Sequence, residues 1–486
     1  MKAVRNPTRH EPRRSGNAII IAAMLISLCI LSLVKSRYCS APYAKPQRLA
    51  EAEAHEASGA AMEKSEEAAL TVDEEPISAT PKEVAAERAA SMSNKPICSE
   101  TSKRSDVCEV EGDARLQGSS QIIFLPPSLT DREWKTKPYC RKHDPPAMRN
   151  VKEWTLKPFP GDAPPPQCSV NHTAPALVFS ISGFTGNLFH DFTDVLVPLF
   201  ISAYQFRGEV QFVIAEHKSW WVSKFALIFK QLSNYEIIDA DNDDRGTIHC
   251  FPRVIVGLSF HKELSADPAR TPTGYTMAEF KSMLRKAYGL ERPRAVPTGD
   301  QWDIRRKPRL LIITRKKTRV FLNERGMTDM AMSLGFDVRV AEPGMSTDLS
   351  KFARLVNSAD VMIGVHGAGL TNMVFLPDGA VLIQVVPFGG LDWLARETFK
   401  EPAPAMRLHY LDYHIKPEES TISQQYAADD PVIKDPYAVH KRGWNEISRI
   451  YLENQNVKPQ LGRLRETLLE ALKHLPHGRH GRTEHD

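Results

Sequence analysis

VMIGVHGAGLTN, Val361 to Asn372, begins as an apolar strand pattern, passes a glycine-containing turn and continues as a helical one. A strand that turns on glycine into a helix is the unit from which parallel α/β sheets are assembled. Gly367 and Gly369 let the backbone approach a ligand, and the start of the helix offers unpaired N–H groups to an anion such as a diphosphate. A tight strand-to-helix turn with no ligand would use the same residues, so the chemistry has to be weighed with the neighbours.

Upstream, ITRKKTR (Ile313 to Arg319) again closes an apolar strand. If both strands belong to one parallel sheet, this basic turn stands beside the glycine turn, because ligands of open α/β sheets sit at the carboxyl ends of strands. Arg315 could then chelate phosphate oxygens with its planar fork, and Lys316 stands next to it. The alternative is a solvated basic turn.

A third strand-turn-helix unit is SGFTGNLFHDFTD, Ser182 to Asp194. At about 100° per residue, Leu188, Phe192, Val195, Leu196 and Leu199 form one apolar stripe, and Asn187, His190, Asp191 and Asp194 fall together on the opposite side. The i,i+4 spacing of His190 and Asp194 lets a carboxylate orient an imidazole and raise its basicity, which suits removal of a proton from an alcohol. The competing reading is a solvated helix start with Asn187 as N-cap and acids favoured by the helix dipole.

Two other patterns carry less. Asp239-Ala240-Asp241 has the spacing with which some glycosyltransferases hold a divalent metal, but such pairs are common in acidic loops. Trp220-Trp221 could stack on sugar rings; opening a helix with Phe225 and Leu227, the pair reads as core.

From Gln121 onward, short apolar runs alternate with amphipathic stretches. The expected strands are 176–182, 211–215, 236–238, 254–257, 310–314, 338–341, 362–365 and 381–386; the expected helices are 187–204, 220–232, 276–288, 324–334, 349–358, 370–375 and 461–475. The Pro-rich, charged stretch 291–308 separates two such series and reads as an interdomain linker. From Ala44 to Gln121 there is no aromatic residue, and Ala, Glu, Ser and Lys dominate, a composition that cannot bury enough apolar surface to order itself.

The uncharged run Ala18 to Val34 spans roughly 25 Å as a helix, enough for a thin bilayer. Lys2, Arg5, Arg9, Arg13 and Arg14 precede it against one acid, Glu11, so the positive-inside rule predicts a cytosolic N-terminus and a lumenal body. A cleaved signal peptide is the alternative, but no small-x-small cleavage site follows directly. The expected layout is a cytosolic tail (1–17), a signal anchor (18–34), a flexible stem (35–95), an N-terminal domain (96–293), a linker (294–308), a C-terminal domain (309–440), a helical segment (441–475) and a disordered tail (476–486).

With 63 Lys+Arg against 59 Asp+Glu and a net charge of +4 in 486 residues, the chain is not built to neutralise a phosphate backbone, so no nucleic-acid partner is expected. Its 42% hydrophobic content excludes a multi-span membrane protein. Six of the seven cysteines follow the anchor, which fits an oxidising compartment. Cys98 and Cys108 flank a short polar loop where local pairing is plausible, and Cys39 could equally link two chains. With no CxxC, structural zinc has no support. The sequon Asn171-His172-Thr173 is the candidate glycosylation site.

The paired signatures GNLFHDFTD and GVHGAGLTN, with ITRKKTR between them and an N-terminal anchor, resemble plant glycosyltransferase family 61. QVVPFGGLDWLARETF, LHYLDYHI and VHKRGWNEI are similar to its grass-type xylan glycosyltransferases, which include α-1,3-arabinofuranosyltransferases and β-1,2-xylosyltransferases. The resemblance implies an α/β fold of GT-B type, with two Rossmann-like domains facing a cleft, acting in the Golgi with inversion and with no obligatory metal or other cofactor. It implies a UDP-sugar donor (UDP-arabinofuranose favoured over UDP-xylose) and a xylan or xylo-oligosaccharide acceptor, and leaves open a Golgi glycosyltransferase complex or a homodimer. On this reading Arg315, Lys316, His366, Gly367, Ala368, Gly369, Thr371, Asn372 and Gln384 hold the nucleotide sugar, Gln384 standing where many relatives carry a carboxylate that could grip ribose hydroxyls. His190, Asp191 and Asp194 are the candidates for the base. The rival classes are a metal-dependent GT-A enzyme using Asp239 and Asp241, and a non-enzymatic lumenal partner that retains the fold.

Overall fold

The computed structural model describes residues 97–161, 164–244, 246–295 and 307–475. The expected anchor, stem and C-terminal tail, and most of the expected linker, lie outside the described residues. Among those described, no helix is long and apolar enough to cross a membrane.

Two sheets organise the chain. The first contains β1 (Cys98–Ser102), β2 (Ser105–Gln117), β3 (Ile122–Leu125), β4 (Trp134–Thr136), β5 (Trp154–Pro158), β6 (Val170–Asn171), β7 (Ala176–Ser180), β8 (Gln211–Ala215), β9 (Ile238–Asp239) and β10 (His249–Val256). Its order is β4-β5-β3-β2-β10-β7-β8-β9, with β1 on β2 and β6 on β10. The β10-β7-β8-β9 portion is parallel, and β7 and β8 are buried on both faces, which is why they read as continuous apolar runs.

The antiparallel extension β1 to β4 corrects the composition argument, which extended to Gln121. Strand β2 keeps period two: Cys108, Val110, Ala114 and Leu116 are buried, while Glu109, Glu111 and Asp113 face solvent. A strand that needs one apolar face only does not require aromatics. The Cys98–Cys108 disulfide forms as its spacing suggested, across the β1–β2 pair. Cys168 pairs with Cys250, and Cys140 is a buried free thiol. Asn171 is exposed on the short edge strand β6.

The second sheet contains β11 (Arg309–Ile313), β12 (Asp337–Ala341), β13 (Val361–Val365), β14 (Val381–Val386) and β15 (His409–His414), all parallel, in the order β12-β11-β13-β14-β15. This is the doubly wound order, with its switch point between β11 and β13, where a crevice for ligands opens at the carboxyl ends. Helices cover it, among them Leu349–Asn357, capped by the Asp348 carboxylate, and Leu461–His474. After β13 the segment Ala368–Phe375 winds as a 3₁₀-helix and not as the α-helix expected there.

Both halves contribute to one apolar cluster. Phe192 meets Phe375 edge-on at 6.0 Å. Lys281, on the helix Met277–Tyr288, is almost completely buried and its Nζ donates to Asp378 at 2.9 Å and to the Met406 carbonyl at 2.6 Å. A lysine so placed is tolerated only because its charge and donors are matched.

Candidate functional site

Two cavities open at the carboxyl ends of β11 and β13. The smaller, about 500 Å³, is lined by Ile313–Lys316, Glu342–Gly344 and Ala368–Gly369, faced by Gly186, Asn187 and Lys224 from the other half. The larger, about 790 Å³, is lined by Arg141, His190, Arg319, His366, Gly367 and Trp393 among others. Both touch Asn187, Arg315 and Ala368, so they are two lobes of one cleft.

Arg315 and Arg319 meet where the lobes join. Arg315 Nε donates to the Thr318 carbonyl at 2.9 Å, and Arg319 Nη1 donates to the His366 carbonyl at 3.0 Å. A Cβ on Gly367 would stand 2.8 Å from Arg315 Nη1 and 3.2 Å from Arg319 Nη1, so only glycine, here at φ +143°, lets both guanidiniums close over this turn. Burial lowers both pKa values, that of Arg319 to about 9 with Arg315's charge adding to the effect; the acids nearby, Glu342 for Arg315 and Glu453 for Arg319, offset only part of it. Two like charges held together where the lobes join are an arrangement able to meet the charge of a multivalent anion.

His366 is buried beneath them. Burial first, then the charges of Arg319 and Arg315, push its pKa down to about 3, so the ring is neutral. The Gln384 amide lies 2.7 Å from His366 Nδ1, and Tyr410 Oη donates to Gln384 Oε1 at 2.7 Å. With the amide oxygen taken by Tyr410, its NH₂ donates to Nδ1, which leaves the imidazole proton on Nε2. Gln384, expected at the nucleotide sugar, is fully buried and lines neither lobe; its contact with a cleft residue is the one to His366. Thr371 is likewise buried and outside both lobes, whereas Asn372 lines the smaller one, its Nδ2 donating to the Gly369 carbonyl at 2.9 Å. Lys316 lies on the rim, exposed and paired with Glu342 at 2.8 Å.

On the opposite wall the helix starting at Leu188 is π-wound over Asp191–Leu196 before continuing as Val197–Ala203. The expected single face of three titratable groups is not what forms. The wider winding shifts the angular phase, and residues 191–203 are buried on all sides. Asp194 and His190 do pair, Oδ2 to Nδ1 at 2.9 Å, and Asp194 also accepts from Tyr139 Oη and Arg141 Nε, each at 3.0 Å. Burial opposes the charge on Arg141 but Asp194 more than compensates, and burial beside the same carboxylate raises the Tyr139 pKa far above the ordinary phenol value. A carboxylate accepts only, so Nδ1 of His190 carries the proton of this bond, and in the neutral ring Nε2 is the acceptor of a side chain that lines the larger lobe.

Asp191 turns elsewhere. Its Oδ1 accepts from Trp221 Nε1 at 2.8 Å and from the Gly186 N–H at 2.9 Å, and burial raises its pKa. It braces the glycine turn and lines neither lobe. Trp221 is core as expected, but Trp220 is 45% exposed. Asp239 pairs with His217 at 3.1 Å, and Asp241 pairs with Lys152 and accepts from the His217 N–H at 3.1 Å; neither lines the cleft.

Sequence reasoning missed Arg141 and Tyr139, which precede His190 by about fifty positions and arrive through long-range packing. Arg319 was visible as the last residue of the basic turn, yet nothing in its spacing separated it from Lys317. Trp393, in QVVPFGGLDWLARETF, and Trp444, in VHKRGWNEI, carried no signal in the sequence that set them apart as cleft residues.

The family model Glycosyltransferase 61 matches residues 188–383. The chain is 46% identical over 385 residues to an alpha-1,3-arabinosyltransferase of Oryza sativa subsp. japonica, covering 79% of this chain and 66% of that protein. It is 39% identical over 393 residues to a beta-1,2-xylosyltransferase of the same organism, covering 77% of this chain and 83% of that protein. A xylan glycosyltransferase of Arabidopsis thaliana is also 39% identical over 393 residues, with 77% of this chain and 78% of that protein covered. The chain thus spans just under two thirds of the length of the arabinosyltransferase and most of the length of the other two.

Proposed function

Since the chain belongs to the glycosyltransferase 61 family, we propose that it transfers a pentose from a UDP-sugar to the xylan backbone with inversion, through a GT-B arrangement of its two α/β halves. The observation that carries this reading is the opposition, across one cleft, of the Arg315–Arg319 pair and the His190–Asp194 pair. The nucleoside fills the smaller lobe, and the diphosphate lies against the two guanidiniums and the Gly367 turn. The xylan hydroxyl approaches from the larger lobe.

As the acceptor oxygen attacks the anomeric carbon, His190 Nε2 takes its proton, and the imidazolium that forms is stabilised by Asp194. The bond from the anomeric carbon to the β-phosphate oxygen breaks with its electron pair on UDP. That charge meets Arg315, Arg319 and the His366 Nε2–H, donors already in place before reaction. The two guanidiniums do the work that a metal does in other transferases, and activity is expected to persist in excess EDTA.

Arabinofuranose is the favoured pentose, supported by the 46% identity to an alpha-1,3-arabinosyltransferase. Xylose is the second reading, supported by the beta-1,2-xylosyltransferase that matches over 83% of its length. The two disulfides fit a body held in the oxidising Golgi lumen by an anchor at residues 18–34, with a glycan on Asn171. Incubation of the full-length chain with UDP-arabinofuranose or UDP-xylose and xylohexaose, with and without EDTA, followed by linkage analysis, tests the reading. Loss on chelation with recovery by Mn²⁺ would overturn the metal-free part, and no transfer from either donor would overturn the whole.

A further inference from the structure

The larger lobe does not end at His190. Arg104, Glu263 and Glu397 on its wall also line a third cavity of about 430 Å³, which continues past Phe260 and Asp267 to Glu401 and Pro402. The two form one groove, each part within the size range of a ligand pocket. A single acceptor sugar beside His190 does not need that length.

The wall of the larger lobe also carries Trp393 and Trp444, edge-to-face with ring centroids 6.5 Å apart. Trp444 is 51% exposed, and neither indole belongs to the apolar cluster that anchors this part of the chain, which is built from Leu391, Ile447 and Tyr451 among others. An indole left half in water next to a groove offers its face to an apolar surface, and the C–H faces of pyranose rings are such surfaces. Glu397 and Glu401 are exposed where the groove continues, in position to accept from sugar hydroxyls. Arg104, Trp393, Glu397 and Trp444 all lie outside residues 188–383, the span of the family match, whereas the phosphate-side residues Arg315, Arg319 and His366 lie inside it.

We propose that this groove is the acceptor track: Trp393 and Trp444, with Glu397 and Glu401, hold several consecutive xylosyl units around the one being substituted, and the segments flanking the family core set the choice of acceptor. This rests on the reading above that xylan is the acceptor. In the full-length chain, kcat/KM should rise steeply from xylobiose to xylohexaose, mainly through KM. Trp444→Ala should lower kcat/KM for xylohexaose about tenfold, the order expected for one lost ring-face contact, and flatten the length dependence. Trp444→Phe should restore part of it, and retained UDP affinity shows that the variant is folded. Transfer that is independent of acceptor length in the parent overturns the inference alone, as does an unchanged length dependence in both Trp393→Ala and Trp444→Ala. A chain that binds UDP but transfers to no xylo-oligosaccharide of any length overturns the proposed function and this inference with it.

Discussion

Replacing Asp194 isolates the base from the nucleotide site. Its carboxylate is completely buried and is the shared partner of His190 Nδ1, Tyr139 Oη and Arg141 Nε at 2.9 to 3.0 Å. Asp194→Ala takes the nearest of three carboxylates from a largely buried guanidinium, leaving Glu263 at 3.7 Å and Asp144 at 3.8 Å, and so destabilises the fold as well as the site. Asp194→Asn is the sharper probe. The amide keeps the shape and one acceptor oxygen, but it removes the charge that offsets Arg141 and turns an NH₂ group toward one of the three donors. The carboxylate no longer enforces the Nδ1–H tautomer, so Nε2 is no longer reserved as the proton acceptor. Turnover should fall about 10²- to 10⁴-fold, the range of positioned proton transfer. UDP affinity, set across the cleft at Arg315 and Arg319, should stay within about twofold of the parent, because the loss falls on the transition state. Steady-state transfer to xylohexaose, calorimetric UDP binding and thermal unfolding measured together separate the outcomes. A folded Asp194→Asn chain that binds UDP and transfers at the parental rate would refute the assignment of His190 as base.

The anion site yields a complementary pattern. Arg319→Ala removes one of two converging guanidiniums and should weaken UDP binding by about 10- to 150-fold, the equivalent of a charge-assisted hydrogen bond. Gly367→Ala should lower UDP affinity in the same direction, because its Cβ would lie 2.8 Å from Arg315 Nη1 on a backbone at φ +143°. UDP titration checks both, and parental affinity in either variant would place the diphosphate elsewhere. His366 predicts a pH effect on stability. Its folded pKa, pushed by burial and the two arginines down to about 3, lies below the ordinary 6.5, so only the unfolded chain takes up a proton between those values. The stability tied to the neutral ring is therefore present above about pH 6.5 and lost as pH falls toward 3. His366→Gln should flatten the slope of unfolding free energy in that window, and an unchanged slope would show that the ring is not held neutral.

The second sheet was legible because its central strands are buried on both faces: Leu310 to Ile313, Met362 to Val365 and Val381 to Val386 stand out as apolar runs. Strand β2 was not, because its alternating Glu and Asp side chains are the solvent face of a one-sided strand and dilute the apolar signal that composition measures. Within the site, the His190–Asp194 contact followed from i,i+4 spacing and persists at 2.9 Å although Asp194 lies within the π-wound stretch. The same winding separated Asp191 from them, which no helical wheel at constant angle can show. Arg141 and Tyr139 reach Asp194 only through tertiary packing, and the role of Gln384 became visible only once Tyr410 was seen to fix its amide.

The claim that one base on one wall drives a direct displacement of UDP from the other is tested most directly by the configuration of the first-formed product. Proton NMR of the reaction of the full-length chain with UDP-β-L-arabinofuranose and xylohexaose should show an α-linked arabinofuranosyl unit from the earliest time points, or a β-linked xylosyl unit where UDP-α-D-xylose is the accepted donor. A product that retains the donor's configuration would contradict the account, because it requires a second displacement that the His190–Asp194 pair alone does not provide.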